Sequence, residues 1–170
     1  VLQHESLRFS DFTGAEEQRR LGMYVSDLIR AAGSPVLGVG IGFPSNINPA
    51  TREIVSFDTL DINRPVSFEE LFAAFLRAID TAVLVENDVN LACKGEMFRR
   101  GGGLRDQNLC YFALGTGVGA GISLGGQLWL GGQYKAGAIG NTLVRPVDLP
   151  NPLARQAKTI EHYINIAATN

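Results

Sequence analysis

Residues 108–132, NLCYFALGTGVGAGISLGGQLWLGG, decide how this chain folds. The stretch opens with an apolar run at residues 109–114, bounded by a polar residue and a glycine, which predicts a buried or half-buried β-strand. Residues 122–124 predict a second strand, and a glycine pair at 125–126 predicts the turn that follows it. Between the two strands, glycines recur at every second position: Gly115, Gly117, Gly119 and Gly121.

These alternating glycines admit two interpretations. A face without side chains lets a ligand's phosphate approach the backbone, where successive N–H groups can converge on an anion, and Thr116 adds a hydroxyl donor. Alternatively, the stretch is a tight hairpin whose glycines serve only the turn and the packing. The spacing matches neither the P-loop nor a glycine-rich loop that opens a helix, because a strand follows it.

Upstream of this stretch, helical and strand patterns alternate, which predicts an α/β fold. The periodicity predicts helices at residues 13–32, 67–79 and 89–100, and strands at 36–43 and 81–86. Capping boxes open the first two helices: Thr13 with Glu16, and Ser67 with Glu70. The first helix is expected to end at Gly33 and to pack on a sheet.

The remaining segments are less regular. Residues 45–66 are interpreted as a long polar loop or a short hairpin. Residues 142–147 predict an edge strand, and a last helix is expected to begin at Asn151 and Pro152. The glycines at 101–103 and the polar run after them predict a hinge, which divides the chain into an N-terminal α/β part at 1–107 and a C-terminal part at 108–170.

An asparagine–aspartate pair, Asn87 and Asp88, stands where the strand at 81–86 meets the helix after it. In open α/β sheets, ligands bind beyond the carboxyl ends of the strands, so this position favours a role in binding or chemistry. The alternative is that Asp88 only caps the helix.

Composition limits the function classes. The 170 residues carry a net charge of −2, with a pI near 5.7, which argues against a nucleic-acid-binding surface within this segment. Cys93 and Cys110 lack metal-ligand spacing and are expected to be buried, reduced thiols in a cytoplasmic protein. We find no signal peptide or membrane span, and the missing initial methionine suggests a fragment.

Four motifs, taken in order, resemble the ROK family of bacterial sugar kinases and sugar-responsive repressors. They are VLGVGIGFP, VLVENDVNLACKGE, LGTGVGAGISLGGQL and YKAGAIGNT, and they cover residues 36–142. The resemblance implies the actin-like ATPase or sugar-kinase fold, which is ribonuclease H-like and sets two α/β parts around a cleft. The chain holds an incomplete copy of it.

The resemblance also implies a site. Asn87 matches a sugar-contacting position, and Asp88 matches the general base that takes a proton from the sugar hydroxyl. Residues 115–119 match the second phosphate-binding loop, with four of its members in the predicted site: Gly115, Thr116, Gly117 and Gly119.

The sequence departs from the family pattern in several places. The family's Gly-Glu-x-Gly-His reads Gly-Ala-Ile-Gly-Asn, so Ala138 replaces the sugar-binding carboxylate and Asn141 the imidazole. No cysteine follows Cys110, so the family's zinc cluster is not expected. The first phosphate loop is missing, and Ser45 replaces the glycine that usually follows Pro44.

These departures favour the sugar-sensing effector domain of a ROK-type transcriptional regulator over a fragment of an ATP-dependent sugar kinase. A regulator would bind a sugar or sugar phosphate and reach DNA only through a helix-turn-helix upstream of Val1. A kinase would need ATP and magnesium. A third interpretation is a domain that keeps the fold for self-association, since the family usually forms homodimers.

Overall fold

The computed structural model describes residues 14–56, 64–100, 108–115, 117–144 and 158–168. These ranges contain both helices and strands, which confirms a mixed α/β chain. The helices are α1 Ala15–Ala31, α2 Phe68–Leu71, α3 Ala73–Leu76, α4 Asp88–Arg99 and α5 Ile160–Ala168. The strands are β1 Val39–Phe43, β2 Asn46–Asn48, β3 Glu53–Ser56, β4 Val66–Ser67, β5 Val83–Asn87, β6 Leu109–Leu114, β7 Val118–Leu124, β8 Gln127–Leu128, β9 Leu143–Val144 and β10 Lys158–Thr159.

Two compact units divide the chain. The first comprises Val1–Ile41 and Ile47–Val85, and the second comprises Gly42–Asn46 and Glu86–Asn170. The hinge predicted at residues 101–103 and the boundary near residue 107 lie outside the described residues, so that division stays a prediction.

In the first unit, β2, β3 and β4 form one sheet in which β3 and β4 run antiparallel. The hairpin interpretation of residues 45–66 is therefore the better one. Phe68, which follows β4, is buried, and its ring stacks on Phe72 with centroids 4.6 Å apart. Ile47 and Ile54 are buried in the same unit. This cluster buries large apolar side chains next to the small sheet, where each contributes about 1.5–3 kcal/mol.

The helix predicted at residues 67–79 is interrupted. Ser67 caps α2 as predicted, because its hydroxyl oxygen accepts the Glu70 backbone N–H at 3.4 Å. The chain then leaves helical geometry at Phe72, whose φ and ψ are −111° and 28°. Ala74 and Phe75 are both buried after this break. A single straight helix would place Phe72 and Ala74 on opposite sides, so periodicity alone did not predict the interruption.

The first helix differs from its prediction at its start and in its partner. Gly14 is the N-cap and makes no side-chain capping bond, and Thr13 of the predicted capping box lies outside the described residues. The end is as predicted, since Gly33 has φ +65°. Among the described residues, the helix packs on α3, and Gly22 lets the two backbones come close together. A β-carbon on Gly22 would lie 2.8 Å from the Phe75 carbonyl oxygen.

In the second unit, β6, β7 and β8 form an antiparallel meander, with Leu109 opposite Ser123 and Leu114 opposite Val118. Both strands predicted around the glycines are confirmed, and β7 extends from residue 118 through the predicted 122–124. The turn into β8 has positive φ at both glycines of the 125–126 pair. The Asn108 side chain accepts the Gly125 N–H at 3.0 Å, which ties the start of β6 to the end of β7.

One face of β6 is open to solvent, so the half-buried alternative of the prediction holds for this strand. Phe112 is 62% exposed and Leu114 is 67% exposed. Both side chains belong to the face opposite α4, because α4 packs on the face that carries Gly119 and Gly121. Cys110 shares the open face and is exposed, so only Cys93 is the buried thiol that the sequence predicted for both.

The C-terminal part also departs from its prediction. Lys158 and Thr159 form β10 and pair antiparallel with β9, and the last helix begins only at Ile160. The predicted start at Asn151 and Pro152 lies outside the described residues. The pairing of β9 with β10 places α5 immediately after a short strand, with its first turn beside the 3₁₀ turn Ile139–Asn141.

Across the ranges listed above, every helix is too short or too polar to cross a lipid bilayer.

Candidate functional site

The Asn87–Asp88 corner lies where β5 ends and α4 begins. The Asn87 Oδ1 atom accepts the Asn90 backbone N–H at 2.9 Å, so Asn87 is the N-cap and Asp88 is the first helical residue. The interpretation that Asp88 caps the helix is therefore wrong. The Asp88 Oδ1 atom accepts the Val89 N–H at 2.8 Å and the Asn87 side-chain amide at 3.3 Å. Asp88 is exposed, and within the described ranges its Oδ2 atom accepts no hydrogen bond.

The segment that follows β1 supports this corner. Asn87 donates its side-chain amide to the carbonyl oxygen of buried Ser45 at 3.1 Å. Gly42 of β1 lies close beneath, since a β-carbon there would meet the Asp88 Cα atom at 3.5 Å. The Asn87 side chain is thus fully engaged within the protein, whereas one oxygen of Asp88 is left for a ligand. The predicted pair therefore divides into a residue that positions and a residue that can bind.

The alternating glycines fall into two groups. A β-carbon on Gly119 would lie 3.3 Å from the Val89 side chain, and one on Gly121 would overlap Cys93. These two glycines allow α4 to pack directly on β7, which is the packing interpretation. Among the described residues, nothing lies within 4 Å of a β-carbon on Gly115, whose N–H is donated to the Gly117 carbonyl oxygen at 3.0 Å. Of the predicted phosphate-loop members, Gly115 therefore has space for a ligand, whereas the Glu161 carboxylate fills the space at Gly117.

The structure brings the loop strand and the Asp88 corner together where α4 packs on β7. Val89, the residue after Asp88, packs against Gly119 of the loop strand. Thr116, the predicted hydroxyl donor, lies outside the described residues.

Glu161 is a candidate site residue that the sequence did not single out. Its Oε2 atom accepts the Val118 backbone N–H at 3.2 Å, although 43 residues separate the two. The carboxylate occupies space left by two glycines: a β-carbon on Gly117 would lie 3.4 Å from this oxygen, and one on Gly140 would lie 2.8 Å from it. Its position in the first turn of α5 was the only local signal. The contact places a negative charge at the predicted phosphate loop.

The segment that departs from the family pattern borders the same place. The Gly137 carbonyl oxygen accepts the Ala120 N–H at 2.8 Å, which holds this segment along β7. Ala138 precedes the 3₁₀ turn, and Asn141, at the end of the turn, is exposed. Since Gly140 contacts Glu161, the positions of the replaced carboxylate and imidazole lie near the glycine loop.

The described ranges contain no cluster of three or more histidine, cysteine, aspartate or glutamate side chains that could hold a metal ion. Burial raises the pKa of the Cys93 thiol, and the neighbouring Cys110 raises it further. This thiol is therefore a packing group between α4 and β7 rather than a nucleophile.

Comparison with known proteins identifies relatives of both functional kinds. The ROK family model matches residues 13–157. A glucokinase from Halalkalibacterium halodurans is 34% identical over 116 residues, which cover 66% of this chain and 33% of that protein. A xylose repressor from Caldicellulosiruptor bescii is 28% identical over 137 residues, which cover 76% of this chain and 33% of the repressor.

The fold is shared with solved ROK proteins. The structure of the ROK hexokinase from Thermus thermophilus has a TM-score of 0.52 at 22% identity, over 82% of this chain and 45% of that one. The chain therefore has part of the actin-like ATPase or sugar-kinase fold, as predicted. It spans about a third of the length of the curated relatives it matches.

Proposed function

The chain belongs to the ROK family, and we propose that it is the sugar-sensing effector part of a transcriptional regulator of that family. The observation that carries this proposal is the pair of replacements at Ala138 and Asn141, beside the glycine loop. Hydrogen bonds to charged groups contribute about 1.5–3 kcal/mol each, so loss of one carboxylate lowers affinity for a sugar hydroxyl roughly ten-fold or more. Asn141, in place of the imidazole, can donate a hydrogen bond but cannot carry a positive charge.

Binding would centre on Asp88. Its Oδ1 atom accepts hydrogen bonds from two donors of the protein. Its Oδ2 atom would accept a hydrogen bond from a sugar hydroxyl without deprotonating that hydroxyl. Asn87 would act by holding Asp88 in place, because its own amide is bonded to Ser45. Such a site would recognise a sugar hydroxyl, whereas phosphoryl transfer would in addition require a γ-phosphate clamped from both sides.

The glycine loop would either bind a phosphorylated ligand or only keep its shape. Open space at Gly115 supports the first role. The Glu161 carboxylate at Val118 supports the second, because its charge opposes a phosphate at that amide.

The second candidate is an ATP-dependent sugar kinase, favoured by the free oxygen of Asp88 and by the similarity to a glucokinase. Asp88 would then be the general base, the backbone at residues 115–119 would contact ATP phosphates, and magnesium would neutralise their charge. In either case we expect a cytoplasmic homodimer without structural zinc, which elemental analysis and light scattering can test.

The deciding experiment uses the full-length protein with D-glucose, D-xylose and cellobiose. Calorimetry measures binding, and a coupled ADP-release assay measures turnover, for the wild type and for Asp88→Ala. Glu96→Gln is the matched control, because Glu96 lies on the same helix and, within the described part of the chain, its side chain bonds to Arg99 and Arg100 alone.

Sugar binding without turnover, lost in Asp88→Ala and kept in Glu96→Gln, supports the regulator. Sugar-dependent turnover that Asp88→Ala abolishes replaces it with the kinase. If the protein neither binds nor phosphorylates any of the three sugars, self-association becomes the remaining interpretation.

A further inference from the structure

Glu86, the last residue before the Asn87–Asp88 corner, carries a carboxylate that is nearly inaccessible to solvent. The residue is only 6% exposed. Its Oε2 atom pairs with the Lys94 ammonium at 2.8 Å. Its Oε1 atom accepts the Asn87 backbone N–H at 3.1 Å and is 3.5 Å from the Asn90 side-chain amide. One buried side chain therefore contacts the corner at Asn87, the first turn of α4 at Asn90 and the second turn at Lys94.

Burial of an ionised carboxylate is unfavourable unless the charge is paired and its oxygens are bonded. Here Lys94, which is half exposed, supplies the opposite charge, and both oxygens have donors. An apolar side chain at position 86 would avoid the desolvation cost entirely. The carboxylate thus has a role that a packed leucine would not fulfil, and its contacts show which atoms that role concerns.

The groups that Glu86 contacts are connected to Asp88 by further hydrogen bonds. The Asn90 N–H is bonded to the Asn87 side chain, and the same side chain donates to both Ser45 and Asp88. Glu86 accepts hydrogen bonds from the Asn87 main chain and the Asn90 side chain, so it holds the two residues that the Asn87 side chain links through the Asn90 backbone N–H. A continuous set of hydrogen bonds therefore runs from Lys94 through Glu86 and Asn87 to Asp88 Oδ1.

We propose that Glu86, held in place by Lys94, is a positioning residue that orients Asp88 with Oδ1 bonded inward and Oδ2 free. Its effect on sugar affinity rests on the proposed function, whether regulator or kinase. Its effect on the geometry of the corner does not.

Three substitutions separate the contributions. Glu86→Gln keeps an oxygen for the Asn87 N–H but removes the charge, Glu86→Leu removes both, and Lys94→Met leaves the carboxylate without its partner. Glu96→Gln again serves as the control, because it removes an ion pair from the same helix without touching the corner.

The readouts are made on the full-length protein labelled with ¹⁵N-asparagine and ¹³C-aspartate. Glu86→Leu is expected to raise the hydrogen-exchange rate of the Asn87 amide about ten-fold, as expected for loss of a charged acceptor, and to shift the Asp88 carboxyl resonance. D-Glucose affinity, measured by calorimetry, should fall by about the same factor. In Glu86→Gln, the Asn87 exchange rate, the Asp88 resonance and the D-glucose affinity should stay close to their wild-type values. In Lys94→Met, each should lie between the values for Glu86→Gln and Glu86→Leu.

A purely structural role would instead lower the melting temperature while leaving the Asp88 resonance and the D-glucose affinity of the folded protein unchanged. That result, or an Asn87 amide as protected in Glu86→Leu as in the wild type, overturns the proposal. If Glu86→Leu does not fold, unchanged Asn87 exchange and Asp88 resonance in both Lys94→Met and Glu86→Gln overturn it equally. Should the wild type bind no D-glucose, the proposed function fails for that sugar, but the exchange and carboxyl measurements still decide the inference.

Discussion

Gly121 of β7 lies directly against Cys93 of α4, so that a β-carbon on Gly121 would overlap the cysteine β-carbon and lie 2.9 Å from the Val89 carbonyl oxygen. The helix that begins at Asp88 therefore rests on bare backbone of the strand that leaves the glycine loop. The distance between the corner and the loop depends on this contact.

Gly121→Ala is accordingly expected to lower the free energy of unfolding by roughly 1–3 kcal/mol, the usual cost of overpacking a filled interior. Urea denaturation measures the change. Gly40→Ala is the matched control, because no described residue lies within 4 Å of a β-carbon on Gly40. Equal losses in the two variants would contradict the packing described for α4 and β7.

The same substitution should have opposite effects in two helices. Gly95 of α4 has nothing within 4 Å of an added β-carbon, so Gly95→Ala is expected to stabilise the protein by up to about 1 kcal/mol through helix propensity. Gly22 of α1 lies against Ala78 and Phe75, so Gly22→Ala should be destabilising. Thermal unfolding of both variants provides the comparison. A higher melting temperature for Gly22→Ala would contradict the α1 contact, and a lower one for Gly95→Ala would contradict the open space on α4.

Periodicity located most elements but not their partners. The strand at 109–114 and the cap at Ser67 could be predicted because their signals are local. The sequence could not predict which face of β6 is covered, because a strand has two faces and the pattern of apolar residues does not show which of them packs against another element. The break at Phe72 could not be predicted either, because the apolar residues before and after it have helical spacing.

Glu96 is expected to titrate with a pKa of about 2, well below its ordinary value of 4.5, because hydrogen bonds from Arg99 and then Arg100 favour the ionised form. A pKa that is lower in the folded state means that the pair stabilises the fold above pH 4.5. This contribution is lost as the pH falls from 4.5 toward 2. A ¹³C titration of the Glu96 carboxyl measures the midpoint. Replacing both arginines with glutamine should return it toward 4.5, and a midpoint near 4.5 in the wild type would contradict the pairing.

The two cysteines are expected to react at different rates. Cys110 is exposed, whereas burial raises the pKa of Cys93 and keeps its thiol protonated near pH 8. Iodoacetamide at pH 8, followed by peptide mapping, should therefore modify Cys110 in the native protein and Cys93 only in urea. Cys110→Ser checks the assignment, because native protein carrying this change should remain unmodified at Cys93 for as long as it stays folded.

The site was predictable in part for similar reasons. Asn87 and Asp88 are adjacent in sequence and follow a strand, so their position could be inferred from the chain alone. Their separate roles, Asn87 as the positioning residue and Asp88 as the binding residue, could not be inferred. They depend on the hydrogen bond from Asn87 to Ser45, which is 42 residues away. Glu161 could not be assigned to the site from its local position, because its contact with Val118 joins residues 43 positions apart and exists only after α5 has packed.

The hydrogen bond between the Asn108 side chain and the Gly125 N–H bears on the order in which the protein folds. The two residues are 17 positions apart, and each strand of the meander pairs with its neighbour in sequence. Contacts of such short range cost little loop-closure entropy and form quickly. The glycine loop, which is the bend of the first hairpin, would thus acquire its shape early in folding, and the later arrival of Glu161 on α5 would add a charge to a loop already formed.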